Sequence, residues 1–320
     1  MTEVALLDRS DFSYSIVIPV YNSSRIVGET VDRVLQVFGE AGLRHELILV
    51  NDGSPDNSWD VIAAKAAAHP NVTALDLLHN YGQHYANTAG LRESTGDFVI
   101  TMDDDLQNPP DQALVLIDAA MQGHDVVFGR FEEKKHGAIR GLGSKMIGLL
   151  NRRIFGQPED LVVSNFRILR RDVVDRILAQ RTAYPYLTGQ ALLYSNNRAN
   201  TLVRHEPRPV GKSNYNIVKI LKLVLTILFS YSSYPLRAMA ILGFGVSVLS
   251  MLYGAWLVLH RFIEGTRVPG WTTIAVLVSV FAGFIIALLS MIGEYVVRTL
   301  NTVSTDQTYH VVKRVRQQQS

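Results

Sequence analysis

The stretch that decides the fold is Asp97-Phe98-Val99-Ile100-Thr101-Met102-Asp103-Asp104-Asp105-Leu106-Gln107-Asn108-Pro109-Pro110. Its first six residues form a short apolar, β-branched run, as a buried strand requires. Three carboxylates follow at once. The proline pair then opens a helix through residue 120, because proline suits a first helical turn. Strand, polar loop and helix in that order form the repeating unit of an α/β fold, whose ligands bind beyond the carboxyl ends of the strands. Like charges this close raise one another's pKa. A divalent cation that prefers oxygen, Mg²⁺ or Mn²⁺, relieves that repulsion. A solvated acidic turn is the plain alternative. Placement at a strand end, in an acidic region, favours the cation.

The same alternation runs outward from this stretch. Residues 15–20 (SIVIPV), 46–50 (ELILV), 72–78 and 125–128 read as further strands, and 26–41, 56–68 and 83–93 as helices. The order argues for a mostly parallel sheet covered by helices. Polar clusters fall at the strand ends: Tyr21-Asn22, Asn51-Asp52 and His79-Asn80. Asp52 beside Gly53 and Ser54 also reads as a simple turn cap. His84 is a candidate base or a structural histidine. The glycines at 141, 143 and 148 do not keep the spacing of a dinucleotide-binding loop.

The 320 residues allow about two units. They are 48% hydrophobic, which excludes overall disorder, and they contain no cysteine. A disulfide scaffold, a cysteine-ligated metal and thiol catalysis are therefore excluded. Residues 1–129 hold 6 Lys/Arg against 19 Asp/Glu, and residues 130–320 hold 25 against 10. One region suits a cation and the other suits anions. The spacing of the nine histidines gives no zinc site, and no nucleic-acid partner is expected.

Two uncharged runs, 238–259 and 268–293, each reach the roughly 20 apolar residues that span a bilayer. They predict a two-helix transmembrane hairpin linked at 260–267. Its flanks carry Lys219, Lys222, Arg237, Arg298, Lys313, Arg314 and Arg316, whereas the link carries Arg261, Glu264 and Arg267. Positive charge stays on the cytoplasmic side, so the large domain is expected there, in an inner membrane. The first residues, MTEVALLDRSDF, do not read as a signal peptide. Over 216–234, Lys219, Lys222, Thr226, Ser230 and Ser233 form a polar stripe opposite an apolar face. That pattern predicts an interfacial helix, with a buried amphipathic helix as the alternative. The basic segments 130–153 and 204–237 suit lipid or phosphate. The expected organisation is a soluble domain over 1–213, an interfacial helix over 214–234, the hairpin over 235–297 and a basic tail over 298–320.

In order, SIVIPVYN, LILVNDGSPDNS, HNYGQH, TGDFVITMDDDLQNPP, FGRF, SNFRILRRDVVD and PVGKSNYN resemble the inverting family-2 glycosyltransferases with the GT-A fold. The later motifs and the hairpin are similar to the polyprenyl-phosphate branch. That branch includes dolichyl-phosphate mannose synthase, bactoprenol glucosyltransferases and the undecaprenyl-phosphate aminoarabinose transferase. The resemblance implies transfer from a nucleotide sugar, UDP favoured over GDP, to a polyprenyl phosphate. It also implies a homo-oligomer, a tetramer among the options. Pro19, Tyr21 and Asp52 would hold base and ribose. Asp103, Asp105 and Gln107 would hold the metal and the donor diphosphate, with Asp104 in the variable middle position. Arg130, Arg140, Ser144 and Arg208 would hold the acceptor phosphate, and Lys212 lies in the loop before the interfacial helix. Asp105 is a secondary candidate for a base. Ser23 stands where many members have Glu, and Asn165 where several carry an acid, so no base is expected at 165. A processive polysaccharide synthase would carry Arg-Trp in a Gln-x-x-Arg-Trp motif, and none of Trp59, Trp256 or Trp271 follows an Arg. A non-catalytic membrane scaffold is the other alternative, and the intact acidic triplet argues against it.

Overall fold

The computed structural model describes residues 7–131, 138–180, 182–207, 217–264, 270–304 and 309–317; for 138–146, 217–223 and scattered later helical positions the description is of backbone alone. The chain divides into two compact units, residues 1–220 with 306–320, and residues 221–305.

The first unit opens with β1 (Ser13–Val20), α1 (Val27–Glu40), β2 (Arg44–Asn51), α2 (Ser58–Ala68) and β3 (Val72–Leu77). It continues with α3 (Gln83–Glu93), β4 (Phe98–Thr101), α4 (Gln112–Ala120) and β5 (Val126–Phe131). Then come α5 (Ala138–Phe155), β6 (Arg167–Arg170), α6 (Arg171–Ala179), α7 (Leu187–Leu193) and β7 (Arg198–Val203), and β8 (Val311–Arg316) rejoins from the far end of the chain. The strands and helices expected through residue 128 are β1 to β5 and α1 to α4. One sheet runs in the order β7-β5-β6-β4-β1-β2-β3-β8. The pairs β1–β2, β2–β3, β1–β4 and β5–β7 are parallel, whereas β6 is antiparallel to both β4 and β5.

Packing explains the regular half. The β1 residues Tyr14, Ile16, Ile18 and Val20 alternate onto one face of the sheet and are fully buried. Val27, Val31, Val34 and Phe38 of α1 recur every three or four residues and close over that face. That spacing gives one apolar stripe along a helix. From β1 the chain moves one way to β2 and β3, then crosses back to place β4 on the other flank of β1. The strand order therefore reverses between β1 and β4, and open α/β sheets bind ligands at such a point.

The C-terminal residues differ from the expected tail. Val311–Arg316 pairs antiparallel with β3, Thr73 opposite Arg316 and Leu75 opposite Arg314. Every residue of β3 is buried, so a bare edge there would invite association with other chains. Lys313 Nζ lies 3.7 Å from Asp76 Oδ2 and 5.5 Å from the Trp59 ring centroid. Arg314 Nη2 donates to Glu93 Oε2 at 2.5 Å. Two basic side chains of the expected tail, Lys313 and Arg314, thus pair with acids of the first unit.

The second unit is helical. α8 (Ile217–Tyr231) starts at its boundary, followed by α9 (Tyr234–Glu264) and α10 (Trp271–Ser304). α9 and α10 pack together: a Cβ on Gly243 would lie 2.6 Å from the Phe284 ring, so the missing side chain permits the close approach. The Tyr295 hydroxyl donates to the Ser232 carbonyl at 2.9 Å. Two spans were expected. Among the described residues, one stretch is long and apolar enough to cross a membrane, Val280–Val297, and none of it is buried. In α9 the apolar stretch found is the shorter Tyr234–Val246.

Deleting residues 309–317 should lower the thermal midpoint of the full-length protein and promote self-association, because β3 would lose its cover. Differential scanning fluorimetry with light scattering checks this. An unchanged midpoint with no aggregation would contradict the clasp.

Candidate active site

At the reversal point the strand ends frame a cleft of about 330 Å³. Pro19, Val20 and Tyr21 enter from the end of β1, and Asp52 from the turn after β2. Asn80 and Gly82 come from the loop before α3, Gln83 from the first position of α3, and Asp103, Asp104 and Asp105 from the segment just after β4.

The β2 turn is built on Gly53, whose φ of 59° lies in the left-handed region. A Cβ there would sit 2.5 Å from the His79 carbonyl carbon, so two backbones meet where no side chain fits. The close approach places Asp52 under the next loop. Its two oxygens accept from Tyr81 N at 2.8 Å and Gly82 N at 2.9 Å. Asp52 therefore caps the 79–82 loop as well as lining the cleft. Burial raises its pKa, and the two N–H donors oppose that rise.

Each acidic residue after β4 has its own task. Asp104 bridges the reversal point: its Oδ2 accepts from Tyr21 N at 3.3 Å, and its carbonyl accepts from the Thr30 hydroxyl at 2.9 Å. Asp105 Oδ1 accepts from Gln107 N at 3.1 Å across a turn in which Leu106 adopts φ 55°, unusual for a branched residue. Asp103 opens partly to the cleft, and its Oδ1 accepts from Gln83 Nε2 at 2.5 Å. Enclosure by protein, then the charges of Asp105 and Asp104, push its pKa up to about 6.

Of the residues expected to hold the donor, Pro19, Tyr21, Asp52, Asp103, Asp104 and Asp105 are brought together. Gln107 is not among the residues lining the cleft, and its amide nitrogen lies 3.5 Å from His205 Nε2. Among the described residues, no three His, Cys, Asp or Glu side chains form a self-contained metal site. The donor set fits a metal of another kind. Mg²⁺-type ions are commonly held by one or two carboxylates plus substrate phosphates. Asp103 and Asp105 in one cleft, with Asp103 carrying a raised pKa, suit that arrangement.

Arg130 is exposed near the end of β5, opposite Leu202 of β7. Arg140 and Ser144 lie on α5 with side chains outside the described residues, as Arg208 and Lys212 are entirely. His84 is enclosed by protein: burial lowers its pKa to about 4, and its ring meets Tyr186 edge-on at 5.3 Å. Asn80 belongs to the expected strand-end cluster His79-Asn80, whereas Gly82 and Gln83 enter the expectations only within the motif HNYGQH, without a role. Their signal was the polar run after β3, at the end of the strand beside β2. Arg167 was also missed, though an arginine inside the apolar run FRIL is a visible anomaly.

A family model described as glycosyl transferase family 2 matches residues 15–178. An undecaprenyl-phosphate 4-deoxy-4-formamido-L-arabinose transferase of Shewanella sediminis is 34% identical over 301 residues, covering 93% of this chain and 91% of the relative. The protein of the same description from Proteus mirabilis is 31% identical over 304 residues, covering 94% and 93%. Among solved structures, glucosyl-3-phosphoglycerate synthase from Mycobacterium tuberculosis, in complex with Mn²⁺, UDP-glucose and phosphoglyceric acid, superimposes with a TM-score of 0.51. It is 15% identical and covers 69% of this chain and 79% of that one. The likeness shows a shared GT-A-like fold.

The raised pKa of Asp103 has a stability consequence. The folded chain binds this proton more tightly than the unfolded chain, so ionised Asp103 destabilises the metal-free protein at neutral pH. Asp103→Asn should raise the thermal midpoint near pH ~7.5 in chelator, and the gain should shrink as pH falls through about 6 towards about 4. Thermal unfolding across that range checks it. A lower midpoint near neutrality, or a gain independent of pH, would contradict it.

Proposed function

We infer the reaction from the premise that the chain belongs to glycosyl transferase family 2. It transfers a sugar from a nucleotide donor to the phosphate of a polyprenyl phosphate, with undecaprenyl phosphate the foremost acceptor. The observation that carries this reading is the cleft at the reversal point, where Asp103 and Asp105 share one space with Pro19, Tyr21 and Asp52. The acceptor is supported by the names of relatives that match over nine-tenths of this chain. The exposed apolar stretch of α10 supports a membrane location.

The protein's part is binding and orientation. Pro19, Tyr21 and Asp52 frame the nucleoside, and Asp103 and Asp105 hold Mg²⁺ or Mn²⁺ beside the donor diphosphate. When bound, such an ion supplies Lewis acidity and counter-charge to the leaving diphosphate. Asp104 keeps the two walls of the cleft in register through its bond to Tyr21 N. The acceptor needs little activation. A phosphate monoester has its second pKa near ~6 and is largely dianionic at neutral pH. Asn165 therefore does not have to remove a proton. Alignment of the phosphate with the sugar carbon does the remaining work, and intramolecular analogues place its worth at about 7–11 kcal/mol. Arg130, Arg140 and Arg208 are assigned to the acceptor phosphate, since charge-assisted bonds to phosphate are the strong ones. A single displacement inverts the anomeric centre. Both long helices, α9 and α10, are assigned to the bilayer, with the first unit on the cytoplasmic side.

The test is a panel of radiolabelled nucleotide sugars with undecaprenyl phosphate and the detergent-solubilised full chain. Nucleotide-linked 4-deoxy-4-formamido-L-arabinose comes first in that panel. Label should move into lipid with at least one donor, only when the lipid phosphate is present, and EDTA should abolish the transfer. Full transfer in EDTA, or no transfer from any donor, would overturn the reading.

A further inference from the structure

Arg167, on β6, is fully buried, and the Asp103 carboxylate acts on its charge through space. A buried charge is costly, so its bonds matter. Its Nε donates to Thr101 Oγ1 at 3.2 Å and its Nη1 to Thr188 Oγ1 at 2.9 Å. The Thr101 hydroxyl donates to the backbone carbonyl of Asn165 at 2.6 Å, which fixes the position of that residue. Asn165 Nδ2 donates to Gln83 Oε1 at 3.3 Å, and Gln83 Nε2 donates to Asp103 Oδ1 at 2.5 Å. A buried cation is thus joined to a cleft carboxylate by four hydrogen bonds through three intervening residues. Every donor points from the cation towards the anion.

Chemistry fixes that sense. An ionised carboxylate only accepts, so Gln83 must offer Asp103 its NH₂. The carbonyl of Gln83 then faces Asn165, which must offer its own NH₂. Asparagine at 165 satisfies the series. Aspartate there, an acceptor alone, would oppose the Gln83 carbonyl and favour turning that amide over.

We propose that Arg167, Thr101, Asn165 and Gln83 are positioning residues that fix the Asp103 carboxylate, occupying one oxygen and leaving the other for the metal–diphosphate. This rests on the reading of Asp103 as a metal ligand. It also gives Asn165, which stands where an acid would suggest a base, a different task. Partners of this kind typically contribute 10- to 100-fold to metal affinity or activity.

The experiment uses the full-length protein in detergent with UDP. Mn²⁺ affinity is read from the electron paramagnetic resonance of the free ion, alongside kcat and KM for undecaprenyl phosphate. Thr101→Val and Asn165→Ala should each weaken Mn²⁺ binding by about 10- to 100-fold and lower kcat, with the KM for lipid unchanged. Thr101→Ser, which keeps the hydroxyl, should recover both quantities. Asn165→Ala removes only the side-chain amide at a half-buried site, without adding charge, so it decides the matter if Thr101→Val fails to fold. Wild-type Mn²⁺ affinity in Asn165→Ala overturns the inference, provided that Asp103→Asn has lost that affinity. A rise in lipid KM without a change in Mn²⁺ affinity overturns it as well. Retention of wild-type affinity by Asp103→Asn overturns the underlying reading, and the inference with it.

Discussion

Mutual repulsion among Asp103, Asp104 and Asp105 is the constraint on which this structure depends. Three adjacent carboxylates at the end of one short strand are unfavourable unless something holds them apart or shares their charge. The fold gives each a different anchor: Gln83 for Asp103, the Tyr21 amide for Asp104 and the Gln107 amide for Asp105. Asp104, while lining the cleft, is also a tie across the sheet. The two outer residues line the cleft together.

Only this topology brings the partners together. Tyr21 and Asp104 stand at the ends of neighbouring strands far apart in sequence, and the reversal of strand order between β1 and β4 opens the cleft there. Gly53 lets the second and third strand-end loops touch backbone to backbone, and Asp52 seals the contact. At the outer edge, the last strand of the chain covers β3. The segment beyond α10 therefore belongs to the catalytic unit, and the chain leaves that unit and returns to it.

The regular half of the molecule was legible in the sequence because its signals were local. SIVIPV, ELILV and DFVITM are β-branched runs ended by polar clusters, and the clusters became the cleft. β8 was not legible. In VVKRVR three basic residues outweigh three valines by eye, so strand alternation reads as a charged tail. β6 and β7 are similarly mixed, RILR and RANTLV, and their pairing depends on partners distant in sequence. Asp52 was identified as a site residue, but its bonds to the 79–82 loop depend on a backbone approach that no local pattern encodes. Arg167 was hidden for the same reason: a buried arginine makes sense only once Thr101, Asn165 and Gln83 are seen in series.

The central claim is that Asp103 and Asp105 bind a divalent ion together with the donor diphosphate. Isothermal titration of UDP into the full-length protein, with Mn²⁺ and then with EDTA, tests it most directly when repeated on Asp105→Asn. Binding should be strong only with Mn²⁺ in the wild type, and the variant should lose the metal-dependent part. Equal UDP affinity with and without metal, or wild-type behaviour in Asp105→Asn, would contradict the account.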